Sequence, residues 1–230
     1  DVTDVVHASG SYRVAVGSAE ENVARAHVVV AMKLKLLSPI VAALCLGRPI
    51  VGPEHFRATA HRTGPKVPPP DPASETALPP EIDPMWAELL LGDKKRLPEL
   101  DRTLFLPRVE RARLLEGVTV VCIQDELHKE LRSYVPHAGG RLEFDPIPPT
   151  AASARTSSVR EALQPWATRH AKHVVAFTTI VAVNQTALDV LRASMGVATV
   201  DYTDIIRCIV NVDASLVPDP RRASAGAPAL

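Results

Sequence analysis

The sequence predicts an α/β fold of two related domains, each a small parallel sheet flanked by helices. A repeated block carries this expectation: Ala26-His27-Val28-Val29-Val30-Ala31 recurs with variation as Lys172-His173-Val174-Val175-Ala176-Phe177. Each copy is followed by the same succession of a helical pattern, a glycine (Gly47 or Gly196), a short apolar run (Pro49-Ile50-Val51 or Ala198-Thr199-Val200) and a closing segment. Those closing segments are Pro53-Glu54-His55-Phe56 and Tyr202-Thr203-Asp204-Ile205-Ile206. Strand-helix-strand-helix halves in one register indicate two related modules rather than one enzyme core. The length agrees, since 230 residues suffice for two domains of about 100 residues each, and a 46% apolar content can fill two small cores.

Residues 2–9 read as a short helix, and Tyr12-Arg13-Val14-Ala15-Val16 as a strand by its alternation. Ala26 to Met32 is apolar enough to be a buried central strand of a parallel sheet, with Val28 to Val30 equivalent to Val174 to Ala176. Ser38-Pro39 then starts a helix: serine can accept a hydrogen bond from the first turn, and proline there loses no needed donor. Gly47 ends that helix by supplying a left-handed conformation. Ile50-Val51 makes the next strand, and a closing helix runs from Pro53 to about His61.

Eight prolines between Thr63 and Pro84 forbid a helix or strand interior and predict an extended connector. Met85 to Leu91 reads as a short amphipathic helix with Trp86 among its apolar residues, and Leu104-Phe105-Leu106 as a short extended piece. In the second module Val118 to Ile123 is a strand. Asp125 to Val135 has Leu127, Leu131 and Val135 on one helical face. Pro136 stops that helix, and Gly139-Gly140 allows the return into strand Arg141-Leu142-Glu143-Phe144. A loop at 146–157 leads to a helix over Val159 to Trp166, the central strand Val174 to Thr178, a helix over Gln185 to Met195 and a strand at Ala198 to Val200. The domain boundaries expected are 1–63, a proline-rich connector with a short helix over 64–107, a second domain over 108–214, and a disordered tail over 215–230.

Lysine plus arginine equals aspartate plus glutamate at 26 each, so no global field draws the chain to nucleic acid or to an anionic membrane, and direct DNA binding is not expected. Cys45, Cys122 and Cys208 are odd in number and sit in apolar runs, which predicts buried free thiols in a reducing compartment. No apolar run reaches the roughly 18 residues of a membrane span. The opening Asp1-Val2-Thr3-Asp4 lacks the basic-then-apolar order of a signal peptide, so an intracellular protein with sequence upstream of residue 1 is the expectation.

Catalytic motifs are absent: no Gly-x-Gly-x-x-Gly after a strand, no phosphate-cradling Gly-x-x-x-x-Gly-Lys, no Gly-x-Ser-x-Gly elbow. No catalytic residue, cofactor or metal is therefore expected. Among eight scattered histidines, His170 and His173 are three apart but have no acidic or thiol partner close in sequence, and they read as strand-edge residues satisfied by backbone. Asp201 and Asp204 stand at a strand-to-helix junction, where N-capping explains them. The basic runs Lys94-Lys95-Arg96 and Arg108 to Arg113 are interleaved with acids and read as solvated faces. Lys33 and Lys35 differ, because they directly follow the first module's central strand, a position where open α/β sheets bind anions.

At Gly47-Arg48-Pro49-Ile50-Val51 and Pro53-Glu54-His55-Phe56 the first module resembles a BRCT domain, and specifically the tandem BRCT region of the nibrin family. The likeness continues through Leu78-Pro79-Pro80-Glu81-Ile82-Asp83-Pro84 and Arg108 to Val118. His137-Ala138-Gly139-Gly140-Arg141-Leu142 and Ile205-Ile206-Arg207-Cys208-Ile209-Val210 follow in the expected order, so the likeness covers most of the chain to about Asp213. Where BRCT pairs often have tryptophan in the last helix, Phe56 stands in the first repeat and only aliphatic residues in the second.

The resemblance implies a non-enzymatic nuclear scaffold of the MRN complex in double-strand-break repair and checkpoint signalling. Its implied partners are the nuclease and ATPase subunits of that complex and phosphorylated chromatin or repair proteins, with no membrane involved. In the family a hydroxyl at the end of the first strand and a lysine near the start of the second helix hold the phosphate by charge-assisted bonds. Here the resemblance implies that the first strand lies upstream of residue 1, and the lysine position falls at Ser38 or Pro39. The phosphate-binding candidates are therefore Lys35, Lys33 and Ser38. The rival expectation is a structural spacer that positions an upstream FHA domain without binding phosphopeptides.

Overall fold

The computed structural model describes residues 20–55, 78–91, 101–148, 156–178 and 185–218. The expected helix at 2–9, the strand at Tyr12 to Val16, Phe56, most of the proline-rich connector and residues 219–230 lie outside the described residues. The chain divides into two compact units, Asp1–Ala112 and Arg113–Leu230.

Unit 1 contains helix α1 (Glu20–Arg25), strand β1 (Val29–Val30), helix α2 (Ser38–Cys45), strand β2 (Ile50–Val51) and helix α3 (Pro84–Leu91). Strands β1 and β2 pair in parallel, Val29 opposite Ile50 and Val30 opposite Val51. The expected buried strand over Ala26 to Met32 is shorter and less covered: Val29 is half-buried, Val30 is 37% exposed and Met32 73%. An apolar run matches a strand covered on both faces, but among the described residues β1 pairs with β2 alone.

Residues 40–45 of α2 are all buried, as a helix apolar on every side must be. Its cap is Leu37 and not Ser38, and no side chain caps it. The Leu37 carbonyl itself accepts from the N–H groups of Ile40 (2.9 Å) and Val41 (3.1 Å), so the backbone does what the serine hydroxyl was expected to do. At the other end Gly47 has φ +62°. Its N–H donates to Leu44 O (3.2 Å) and the Arg48 N–H to Ala43 O (2.8 Å), the paired bonds of a left-handed helix stop.

Part of the expected connector is paired backbone. The Leu34 N–H donates to Glu81 O (2.9 Å) and the Asp83 N–H to Leu34 O (2.9 Å), so Ile82 runs beside Leu34 in parallel. Helix α3 follows at once and buries Trp86. Leu104 to Leu106 is not extended: Arg102–Phe105 is a 3-10 turn whose Asp101 carboxylate accepts from the Thr103 N–H at 2.8 Å, and Phe105 is fully buried. Nor is the basic run at 108–113 wholly solvated. Arg111 is fully buried, its guanidinium donating to the carbonyls of Leu104 and Leu106, and burial followed by the nearby Arg108 lowers its pKa to about 10.

Unit 2 alternates strands and helices: β3 (Thr119–Cys122), α4 (Asp125–Leu131), β4 (Arg141–Phe144), α5 (Thr156–Arg169), β5 (Val174–Phe177), α6 (Gln185–Asp189), β6 (Ala198–Asp201) and α7 (Tyr202–Asn211). The four strands are parallel in the order β4-β3-β5-β6. Val121 and Val175 enter a core with Val159, Leu163 and Trp166 of α5 and Leu188 of α6. The alternate row, Val120, Cys122, Val174 and Ala176, is as deeply buried, so both faces of the central strands are covered. The expected helix over Gln185 to Met195 widens into a π turn at Val190–Ser194. Order extends into the expected tail: Asp213 caps a 3-10 turn at Ala214–Leu216, accepting from the Ser215 N–H at 2.9 Å, and Val217 is buried.

The repeat is visible in the register. Val29 pairs with Ile50, three residues past Gly47, and Val175 pairs with Thr199, three residues past Gly196, whose φ is +64°. The two glycines thus close equivalent strand-helix-strand crossovers with the same backbone conformation.

Candidate functional site

The chain leaving β1 pairs at Leu34 and then turns tightly into α2, the Leu37 N–H donating to Lys35 O at 2.7 Å. Leu34 and Leu36 are fully buried, whereas Lys33, Lys35 and Leu37 between and beside them are exposed. These three form one wall of a groove of about 500 Å³, completed by Met32, by Pro39 and Ile40 of α2, and by Asp83. Lys33 and Lys35, two of the three expected phosphate ligands, therefore share one groove at the start of α2. Ser38, the third, is half-buried at the first residue of the helix and does not line it.

Few backbone donors face this groove. Pro39 has no N–H, and those of Ile40 and Val41 are committed to Leu37, which leaves the Ser38 N–H in the first turn. Asp83 is the residue that sequence reasoning missed. It lies about 50 positions from the lysines and reaches the groove only because its segment pairs with Leu34. Its Oδ1 accepts from the Met85 N–H at 3.1 Å, starting α3, and it brings an acidic side chain to the groove that Lys33 and Lys35 line.

A second cluster lies in unit 2. The His170 side chain is 2% exposed, directly after α5; its Nε2 is 2.8 Å from Asp145 Oδ2 and its Nδ1 is 3.0 Å from His173 Nδ1. Glu143 offers a carboxylate oxygen within 4.8 Å of ring nitrogens of both histidines. The expectation that the two histidines are satisfied by backbone is thus corrected: their rings meet each other and an acid. The acids come from an adjacent strand edge. Glu143 pairs with Val121, which faces α5, so Glu143 and, two residues on, Asp145 emerge on the face where α5 ends. The legible signal was Glu143-x-Asp145 at strand period beside His170-x-x-His173, two short patterns with no sequence proximity.

The three cysteines are buried as expected, and burial pushes the thiols of Cys122 and Cys208 up to about 12. Asp201 caps α7, accepting from the Thr203 N–H at 2.8 Å, while Asp204 pairs with Arg207 at 3.0 Å. Among the described residues no helix is long and apolar enough to cross a membrane.

Compared with known proteins, the sequence matches no family profile and no curated relative. In structure the chain is similar to the crystal structure of the S. pombe Brc1 BRCT5-BRCT6 domains, with a TM-score of 0.47 and 14% identity over 92% of this chain and 88% of that one.

Proposed function

We propose that the chain is a non-enzymatic scaffold region of two BRCT-like domains that binds phosphorylated partner proteins. The observation that supports this reading is the groove of unit 1, where Lys33 and Lys35 stand side by side at the start of α2 next to the apolar Met32, Leu37 and Pro39. A phosphate can meet two cations there, while an adjoining apolar side chain of the same peptide meets Met32 and Leu37. The further reading is a nuclear role in double-strand-break repair within the MRN complex, with its nuclease and ATPase subunits and phosphorylated chromatin or repair proteins as partners. It rests on the sequence resemblance alone.

Both lysines are exposed, so binding is weak and falls with salt on the scale of a Debye length of about 8 Å at physiological ionic strength. The test is a titration with paired phosphorylated and unphosphorylated peptides. A phospho-preference is expected that Lys35→Ala removes and Lys94→Ala leaves intact. Asp83→Asn strengthens it, since the amide oxygen keeps the bond from Met85 without the opposing charge. Equal affinity for both peptides would put the structural spacer in its place.

A further inference from the structure

We infer that unit 2 carries a zinc site built from His170, His173 and Glu143, with Asp145 as the outer partner of His170. The site is independent of the phosphate groove, which belongs to unit 1. Each of the three residues offers one ligand atom, all within 4.8 Å of one another.

Asp145 decides what His170 can do. Its Oδ2 accepts from Nε2 at 2.8 Å, which fixes the proton on that nitrogen and leaves the Nδ1 lone pair directed at His173. A buried imidazole oriented by a carboxylate, with its other nitrogen turned toward further donors, is the arrangement of a zinc-ligating histidine and its outer-shell acid. The 3.0 Å between the two Nδ1 atoms is a hydrogen-bond separation, about 0.4 Å short of the roughly 3.4 Å that two nitrogens about 2.1 Å from a tetrahedral ion span, so the half-buried His173 ring needs only a small outward shift to admit the ion. Glu143 is exposed on the edge strand β4, so its carboxylate closes onto the ion by side-chain rotation without moving the sheet.

The donor set names the metal class. Two imidazoles and one carboxylate suit zinc and neighbouring transition ions, whereas magnesium and calcium require oxygen. Three protein ligands leave a fourth position open for water or for a side chain of a bound protein. Charge agrees: Glu143 and Asp145 bring two negative charges to this edge, and the described cation bonded to them is Arg169, at 2.7 Å from Asp145.

The test is a zinc titration of the whole 230-residue chain against a chelating indicator, with the thermal midpoint read in parallel. One zinc per chain and a raised midpoint are expected. His170 is avoided as a variant because it is buried. His173→Ala and Glu143→Gln, at a half-buried and an exposed position, each weaken zinc about tenfold or more, and Asp145→Asn weakens it about 10- to 100-fold through His170. The midpoint of the His173→Ala/Glu143→Gln double variant no longer responds to zinc. No stoichiometric zinc on the unaltered chain, or unchanged affinity in the double variant, would overturn the site and leave the histidines as a hydrogen-bonded pair.

Discussion

Val29 and Val175 occupy the same place in the two repeats yet differ in burial, and that difference sets what each can tolerate. Val175 is fully buried among α5 and α6, so Val175→Asp places a carboxylate in an apolar core and abolishes folding of unit 2. Val29 is half-buried, and Val29→Asp lowers the denaturation midpoint of unit 1 without unfolding it. The sequence reading equated the two because apolarity was all it could see. Burial of the cysteines was legible from their neighbours: Cys45 and Cys122 have apolar residues on both sides in the chain, and Cys208 follows Ile205, Ile206 and Arg207 and precedes Ile209 and Val210. Their pH dependence follows. Cys122 and Cys208 have ordinary values of 9.0 raised to about 12 by burial, so above pH 9.0 the unfolded chain releases protons that the folded chain keeps. Their contribution to stability is complete below pH 9.0 and is lost as pH climbs toward 12. Arg111 acts in the other sense, because its value falls from 12.5 to about 10 and the folded chain gives up its proton first. Between about pH 8 and pH 10 the thiols prevail. Urea midpoints measured across that interval fall in the unaltered chain and fall less in the Cys122→Ala/Cys208→Ala variant; equal slopes would refute the burial argument.

Elements in this chain are stopped more clearly than they are started. Gly47 was legible as a stop because only glycine adopts φ near +60° without strain, and Gly196, its counterpart in the repeat, holds the same conformation. Open space surrounds both positions, so a substitution there meets backbone strain alone. Gly47→Ala costs about 1 kcal/mol. The mirror case is Val212, the C-cap of α7, a β-branched residue held at φ +56°. Val212→Gly relieves that strain and raises stability by about 1 kcal/mol, read from a denaturant midpoint at unchanged m-value; a lower midpoint would contradict it. Starts were harder to read. A serine followed by proline looks like a cap, but at α2 the backbone turn through Leu37 came one residue earlier and used the carbonyl instead. The Asp101 turn was missed because its flanking Leu104-Phe105-Leu106 carries no periodicity that distinguishes 3-10 from extended chain in so short a run.

At the scale of the molecule, the α/β class and the duplicated strand-helix-strand unit could be read from one repeated hexapeptide and two glycines, because local period and turn chemistry determine them. Groups gathered from distant segments could not. Asp83 reaches the Lys33 and Lys35 groove through a backbone pairing that no local pattern announces, and Asp145 reaches His170 across 25 residues by the edge of a sheet. Composition assigned neither, since balanced charge says nothing of where charges meet. The measurement that bears most directly on the chain's proposed role is an amide and methyl NMR titration with one phosphopeptide and its unphosphorylated twin. Phosphate-dependent shifts concentrated at Met32, Lys33, Lys35, Leu37 and Ser38, absent in Lys35→Ala, are the expected result. Identical shifts with both peptides, or phosphate-dependent shifts confined to unit 2, would contradict the assignment of the groove as a phosphopeptide site.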